Sequence, residues 1–166
     1  VIIPAAAALD ETSKFPAEIL AKAHRQGLLN FSIPVELGGS GLSYFDTCLV
    51  IEELAFGCAG VTTSIVVNDL ALIPVLLAGT QQQQECFVAP LAKAGSQVSF
   101  CLSEPGAGSD VAGMRTCLRK VEGGYRLSGA KQWITNGGYA TQFTVFATLD
   151  PQLQHKGICC VVVDAK

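Results

Sequence analysis

The spacing of apolar residues changes period near Gly95, and that change constrains the fold of this 166-residue chain more than any other feature. Before it, apolar side chains recur at helical spacing, as in Ile19, Leu20, Ala23 and Leu28. After it, β-branched and aromatic residues alternate with polar ones over residues 97–102, 124–133, 142–148 and 157–164. Turn residues separate these runs, among them Gly106, Gly108, Gly123, Gly124, Asn136, Gly137 and Gly138. Helices followed by strands, rather than helices alternating with strands, predict segregated α and β parts and exclude a Rossmann fold. The expected division is a helical domain over residues 1–96 and a β domain over 97–166.

Within the helical half, Pro16 suits a first helical position and Gly27 the end of the same helix. Residues 33–41 form a loop broken by Gly38, Gly39 and Gly41. Ser43 with Asp46 predicts a capped helix running to about Phe56, and Thr80 with Gln83 another running to about Val88. Residues 61–78 are apolar enough to suggest a membrane span. Asn68 and Asp69 near the middle, and Pro74 beyond them, argue instead for two buried helices, the second starting near Pro74.

Composition narrows the function classes. The chain is 49% hydrophobic and only 15% charged, with mean hydropathy +0.40. So much apolar surface predicts cover from a partner or from further chain, and both ends read as trimmed. A net charge of −3 with scattered Lys and Arg excludes a nucleic-acid-binding surface. Seven cysteines, an odd number with no C-x-x-C spacing, read as reduced thiols in a reducing compartment, so the protein is not expected to be secreted. His24 and His155 lie at no ligand spacing from a cysteine, which argues against a zinc site.

Two segments carry the chemistry. Residues 100–110 read FCLSEPGAGSD and residues 131–138 read KQWITNGG. In the first, Pro105 sets a bend, Gly106 and Gly108 let backbone N–H groups approach a ligand and allow positive φ, and Ser103 and Ser109 supply small hydroxyls. Taken alone it is more readily a plain β-turn; it is neither a P-loop nor a dinucleotide fingerprint. In the second, a strand through Trp133 and Thr135 would put a flat apolar wall and a hydroxyl on one face, suiting a planar heteroaromatic ring. The alternative is a core Trp beside an Asn-Gly turn.

Together, and with Ile33-Pro34, Gly38-Gly39-Ser40-Gly41 and Glu52-Glu53-Leu54-Ala55, these segments resemble the acyl-CoA dehydrogenase family from end to end. The stretches around Phe45-Asp46-Thr47-Cys48-Leu49 and Phe56-Gly57-Cys58 look most like the medium-chain type. The resemblance implies an α+β multidomain protein: an all-α N-terminal domain, an antiparallel, barrel-like middle β domain, and a C-terminal helical bundle outside these residues. It implies FAD as cofactor, held by Phe100, Cys101, Leu102, Ser103, Gly108, Ser109, Trp133, Ile134 and Thr135. Ser103 would bond the pyrimidine edge, Trp133 would pack on the ring, and Thr135 would sit near the hydride-accepting N5. Ser109 would also meet the CoA moiety, and Thr63, Val66, Val67 and Leu70 would border the acyl chain, unless they are ordinary helix packing.

The implied reaction is α,β-dehydrogenation of an acyl-CoA thioester in fatty acid or branched-chain β-oxidation, with electrons passing to an electron-transferring flavoprotein. The catalytic base would be a Glu on the C-terminal domain. Glu52, Glu53 and Glu104 do not replace it, so these residues hold no catalytic base and alone are expected to be inactive. The family also implies a homotetramer with no membrane span, in the mitochondrial matrix or bacterial cytoplasm. Tyr139 and Val66 depart from residues common in relatives, at the site rim and the pocket base. An acyl-CoA oxidase-like flavoenzyme and a non-catalytic flavin- or acyl-CoA-binding module are the alternative readings.

Overall fold

A computed structural model describes residues 1–165 and divides into two compact units, Val1–Gln97 and a second from Val98 onward. The first contains helices α1 (Ile2–Thr12), α2 (Ala17–Arg25), α3 (Tyr44–Gly57), α4 (Ala59–Ala78), α5 (Gln81–Phe87) and α6 (Ala89–Ala94). Its core gathers Leu20 and Ala23 of α2, Leu29 and Phe31 of the following segment, and Val61 and Ile65 of α4.

Local sequence sets most of these helix ends. After α2, Gly27 takes φ 70°. The Leu28 N–H reaches the Ala23 carbonyl at 2.8 Å and the Gly27 N–H reaches that of His24 at 3.0 Å, which is a Schellman stop. Ser43 Oγ accepts the Asp46 N–H at the start of α3. Thr80 and Gln83 bond reciprocally at the start of α5, as the capping-box spacing predicts. In the loop after Ile33, a side chain at Gly39 would collide with the Ile33 backbone, so only glycine passes there.

Residues 59–78 are one helix rather than two, with Pro74 inside it. Proline removes one N–H and leaves the helical turns on either side intact, and here the bond it forfeits would have gone to the carbonyl of Leu70, a half-exposed residue. By length and hydropathy α4 is the one helix among the described residues that could cross a bilayer. It is instead a core helix, and its two polar central residues hold the neighbouring segment. Asp69 accepts the backbone N–H groups of Phe31 (3.1 Å) and Ser32 (2.6 Å) and the Ser32 hydroxyl (2.7 Å). Asn68 donates to Asn30 Oδ1 (3.1 Å) and to the Ser96 carbonyl (2.8 Å). Burial pushes the Asp69 carboxyl above its ordinary value, and these donors pull it back only in part. The large apolar surface expected from composition is present on α3, where Phe45 and Phe56 are 72% and 84% exposed.

The second unit is a five-stranded sheet: β1 (Val98–Cys101), β2 (Cys117–Val121), β3 (Gly124–Ser128), β4 (Gln142–Thr148) and β5 (Ile158–Asp164). β4 is its hub, antiparallel to β5 along its whole length and parallel to β1. β2 meets β4 at Cys117–Thr148, also parallel, and forms a hairpin with β3 through Glu122 and Gly123, the latter at φ 77°.

The sheet therefore departs from the antiparallel, barrel-like expectation in two ways. It is mixed, because 40 residues (102–141) separate β1 from β4 and let the chain return in the same direction. It is also open rather than closed. β2 is missing from the sequence reading because only Leu118 of its five residues is buried, so it shows no apolar alternation. β3 stops at Ser128, five residues before the predicted end, because Gly129 takes φ 155° against the Thr116 side chain and turns the chain away.

Asp69→Ala leaves one buried and two part-buried donors without their acceptor and is expected to cost about 3 kcal/mol. Urea unfolding monitored by circular dichroism measures it; a loss below about 1 kcal/mol contradicts the role given to the carboxylate.

Candidate functional site

The segment 100–110 leaves β1 and closes at once into a tight turn. Glu104 and Ala107 exchange both backbone bonds, N–H to carbonyl at 2.9 and 3.2 Å, around Pro105 and Gly106. Neither Gly106 nor Gly108 uses the left-handed region allowed for them. A Cβ built at either would meet nothing within 4 Å, so neither the backbone nor crowding within this chain demands glycine there. What they provide is bare, outward-facing backbone. Ser109 beyond them is exposed.

Residues 131–138 are not a strand, which corrects the same-face placement of Trp133 and Thr135. Trp133 takes φ 61° and Asn136 φ 60°, in a run of turns closed by Gly137 N–H to Ile134 O (3.0 Å) and Tyr139 N–H to Asn136 O (2.8 Å). Left-handed backbone is uncommon for a bulky residue. At 84% exposure, Trp133 is neither a core residue nor a packed wall of this sheet. Ile134 and Thr135 are half-buried.

The two segments, 20 residues apart in sequence, are joined directly. The Gln132 N–H donates to the Ser103 carbonyl at 2.9 Å. Ser99, buried on β1, donates its hydroxyl to the Thr135 carbonyl at 2.7 Å. Lys131 Nζ donates to the Leu102 carbonyl at 2.9 Å and to Glu104 Oε1 at 2.7 Å. The Glu104 carboxylate also accepts the backbone N–H groups of Arg115 (2.6 Å) and Thr116 (2.9 Å). The side chains of this pair are only 10% (Lys131) and 6% (Glu104) exposed. Burial opposes the charge on Glu104, but Lys131 and the backbone donors outweigh it and hold the carboxyl at about 2. The sequence reading missed this pair; its signals were Glu104, the one charge between Lys93 and Asp110, and Lys131, the one charge of residues 131–138.

Of the other predicted residues, Phe100 packs against Phe146 with ring centroids 5.1 Å apart. Cys101 follows it on β1 and points to the opposite face of the sheet. There it lines a cleft of about 460 Å³ together with Thr116, Leu127, Phe143 and Val145. Burial pushes its thiol up to about 11, with the Lys131 charge pulling the other way, so the thiol stays protonated. Lys131, Ile134 and Gly137 of the second segment line the same cleft. The hydroxyls of Ser103, Ser109 and Thr135 make no side-chain hydrogen bond among the described residues.

Thr63, Val66, Val67 and Leu70 lie along α4 in the helical unit. Thr63 and Leu70 are exposed, Val67 is buried, and Val66 packs on the helical core.

Residues 1–95 match the acyl-CoA dehydrogenase N-terminal domain and residues 99–166 match the acyl-CoA dehydrogenase middle domain. The chain belongs to the acyl-CoA dehydrogenase family. It is 42% identical over 151 residues to a probable medium-chain specific acyl-CoA dehydrogenase of Caenorhabditis briggsae, covering 91% of this chain and 37% of that protein. It is 39% identical to the short-chain specific enzyme of Homo sapiens, covering 98% of this chain and 40% of the human protein. Butyryl-CoA dehydrogenase from Megasphaera elsdenii superposes with a TM-score of 0.89 at 31% identity, over 98% of this chain and 44% of that one. A glutaryl-CoA dehydrogenase from Mycobacterium smegmatis in complex with FADH2 superposes with a TM-score of 0.86 at 28% identity, over 98% and 41%. The chain thus spans about two fifths of the length of these acyl-CoA dehydrogenases.

The depressed Glu104 carboxyl has a pH consequence. Its folded value lies below the ordinary 4.5, so its stabilisation is complete above that value and is lost as pH falls toward about 2. Glu104→Gln is expected to cost about 3 kcal/mol at neutral pH and to flatten the stability–pH curve below pH 4.5. Urea unfolding of both proteins at stepped pH checks this; parallel curves would contradict it.

Proposed function

We propose that this protein takes part in FAD-dependent α,β-dehydrogenation of acyl-CoA thioesters, with electrons passing to an electron-transferring flavoprotein. The observation that carries the reading is the direct junction of segments 100–110 and 131–138, which seats Ser103 against the turn that carries the exposed Trp133, with bare glycine backbone and further uncommitted hydroxyls on the same two segments. Family membership supports it, as does the named complex of a relative with FADH2.

The residues present fit a flavin. Trp133 offers a flat apolar face, and Ser103 and Thr135 offer hydroxyls that no other group of the described chain occupies. Gly106 and Gly108 leave room for main-chain approach. In this reading Phe100, Cys101, Leu102, Ser103, Gly108, Ser109, Trp133, Ile134 and Thr135 hold FAD. Ser109 also meets the CoA moiety, and Thr63, Val66, Val67 and Leu70 border the acyl chain. Bound FAD supplies the acceptor for the hydride that leaves the substrate β-carbon. The chain's own residues orient the ring and exclude water from its face.

In this reading none of Glu52, Glu53 and Glu104 serves as the base that takes the α-proton. Glu104 is buried, ion-paired and held at about 2, and Glu52 and Glu53 are exposed on α3. The base belongs to chain outside these 166 residues, so these residues alone bind FAD without turnover. The whole protein is read as a homotetramer of the mitochondrial matrix or bacterial cytoplasm, serving β-oxidation.

Titration of the chain with FAD, followed by flavin fluorescence, tests this. Saturable binding is expected, weakened at least about tenfold, or 1.4 kcal/mol, by Trp133→Ala with Thr135→Ala. Saturable binding that the double substitution leaves unchanged would remove the flavin from these segments.

A further inference from the structure

We propose that Glu104 and Lys131 are positioning residues for the cofactor face, their ion pair setting the direction of the Leu102–Ser103 peptide and of the backbone entering Trp133. The inference rests on the flavin reading above and adds to it two residues that touch no ligand.

A buried ion pair is a poor stabiliser compared with apolar residues of the same volume, so its presence calls for another reason. What it provides here is direction. Each charge also bonds main-chain atoms: Lys131 the Leu102 carbonyl, Glu104 the Arg115 and Thr116 N–H groups. Three separate stretches of backbone are thus tied to one pair. In a trans peptide the carbonyl of one residue and the N–H of the next point to opposite sides. Lys131 draws the Leu102 carbonyl inward, so the Ser103 N–H is turned away from the pair. The next carbonyl, that of Ser103, is taken by the Gln132 N–H at 2.9 Å. Gln132 immediately precedes Trp133, whose φ of 61° is held from that side. The pair and the Gln132 bond together define where the Ser103 donor and the Trp133 ring lie relative to each other. Glu104 and two of the three Lys131 N–H donors are bonded within the chain, so the arrangement is set before any cofactor arrives.

Trp133 is the one tryptophan in the chain, so its fluorescence reports this loop alone. The test compares wild type, the neutral pair Glu104→Gln with Lys131→Met, and Lys131→Arg. Asp69→Ala, in the helical unit, serves as a destabilised control. Far-UV circular dichroism establishes that each is folded. The neutral pair is expected to lower the Trp133 anisotropy without FAD and to raise the Kd for FAD at least about tenfold, the scale seen when groups that orient a ligand-binding residue are removed. Lys131→Arg keeps both near wild type, and Asp69→Ala moves stability without moving either.

A folded neutral pair in which either readout stays at the wild-type value overturns the proposal. Should the neutral pair not fold, Glu104→Asp, which keeps the charge but draws the carboxylate back from the Arg115 and Thr116 N–H groups, is read by the same two criteria. If wild type itself takes up no FAD, the flavin reading falls and the anisotropy decides the positioning role by itself.

Discussion

The β unit depends on one buried ion pair whose charges are spent on backbone. Glu104 and Lys131 lie on two connecting segments, not on strands, and between them hold the carbonyl of Leu102 and the N–H groups of Arg115 and Thr116. Connecting segments carry backbone groups that no strand ladder satisfies, and burying them without partners is costly. A lysine and a glutamate that bond each other and also bond main chain solve that problem for two segments at once and tie a third, through Lys131, to them. The coupling explains why a loop rich in glycine keeps a defined shape and why a tryptophan can be held in a left-handed conformation while 84% exposed.

The helical unit uses the same device with a single charge. Asp69 sits in the middle of an apolar helix and accepts two backbone N–H groups and a hydroxyl from residues 31–32. Without a cationic partner, burial dominates and its carboxyl rises, whereas Lys131 beside Glu104 reverses the balance. Both carboxylates read in sequence as polar interruptions. Both are the points at which irregular backbone is fastened to regular structure.

Much of the architecture was legible. The change of period near Gly95 separated helices from strands because the two repeats impose different apolar spacing. Ser43, Thr80 and Gly27 marked helix ends because capping is decided within a few residues. The segments around Ser103 and Trp133 stood out by their glycines and hydroxyls. Less was legible where distant residues decide. Pro74 looked like a helix boundary, yet the rest of α4 is buried enough to carry the helix through it. β2 went unread because a strand with one buried residue in five has no alternation to show. The run through Trp133 looked like strand until Gly129 turned the chain against Thr116.

The sequence by itself determined the order of the two units, the ends of most helices and the family to which the chain belongs, since these rest on short-range spacing and on motifs. Tertiary structure alone decided the direction of strand pairing, the burial of Asp69, and the junction of residues 102–104 with 131–132. Parallel pairing depends on how 40 intervening residues return to β4, and the ion pair on two side chains 27 positions apart. Interactions over such distances leave no periodic trace in the chain, because they are selected by packing in three dimensions and not by the local preferences of the residues that make them.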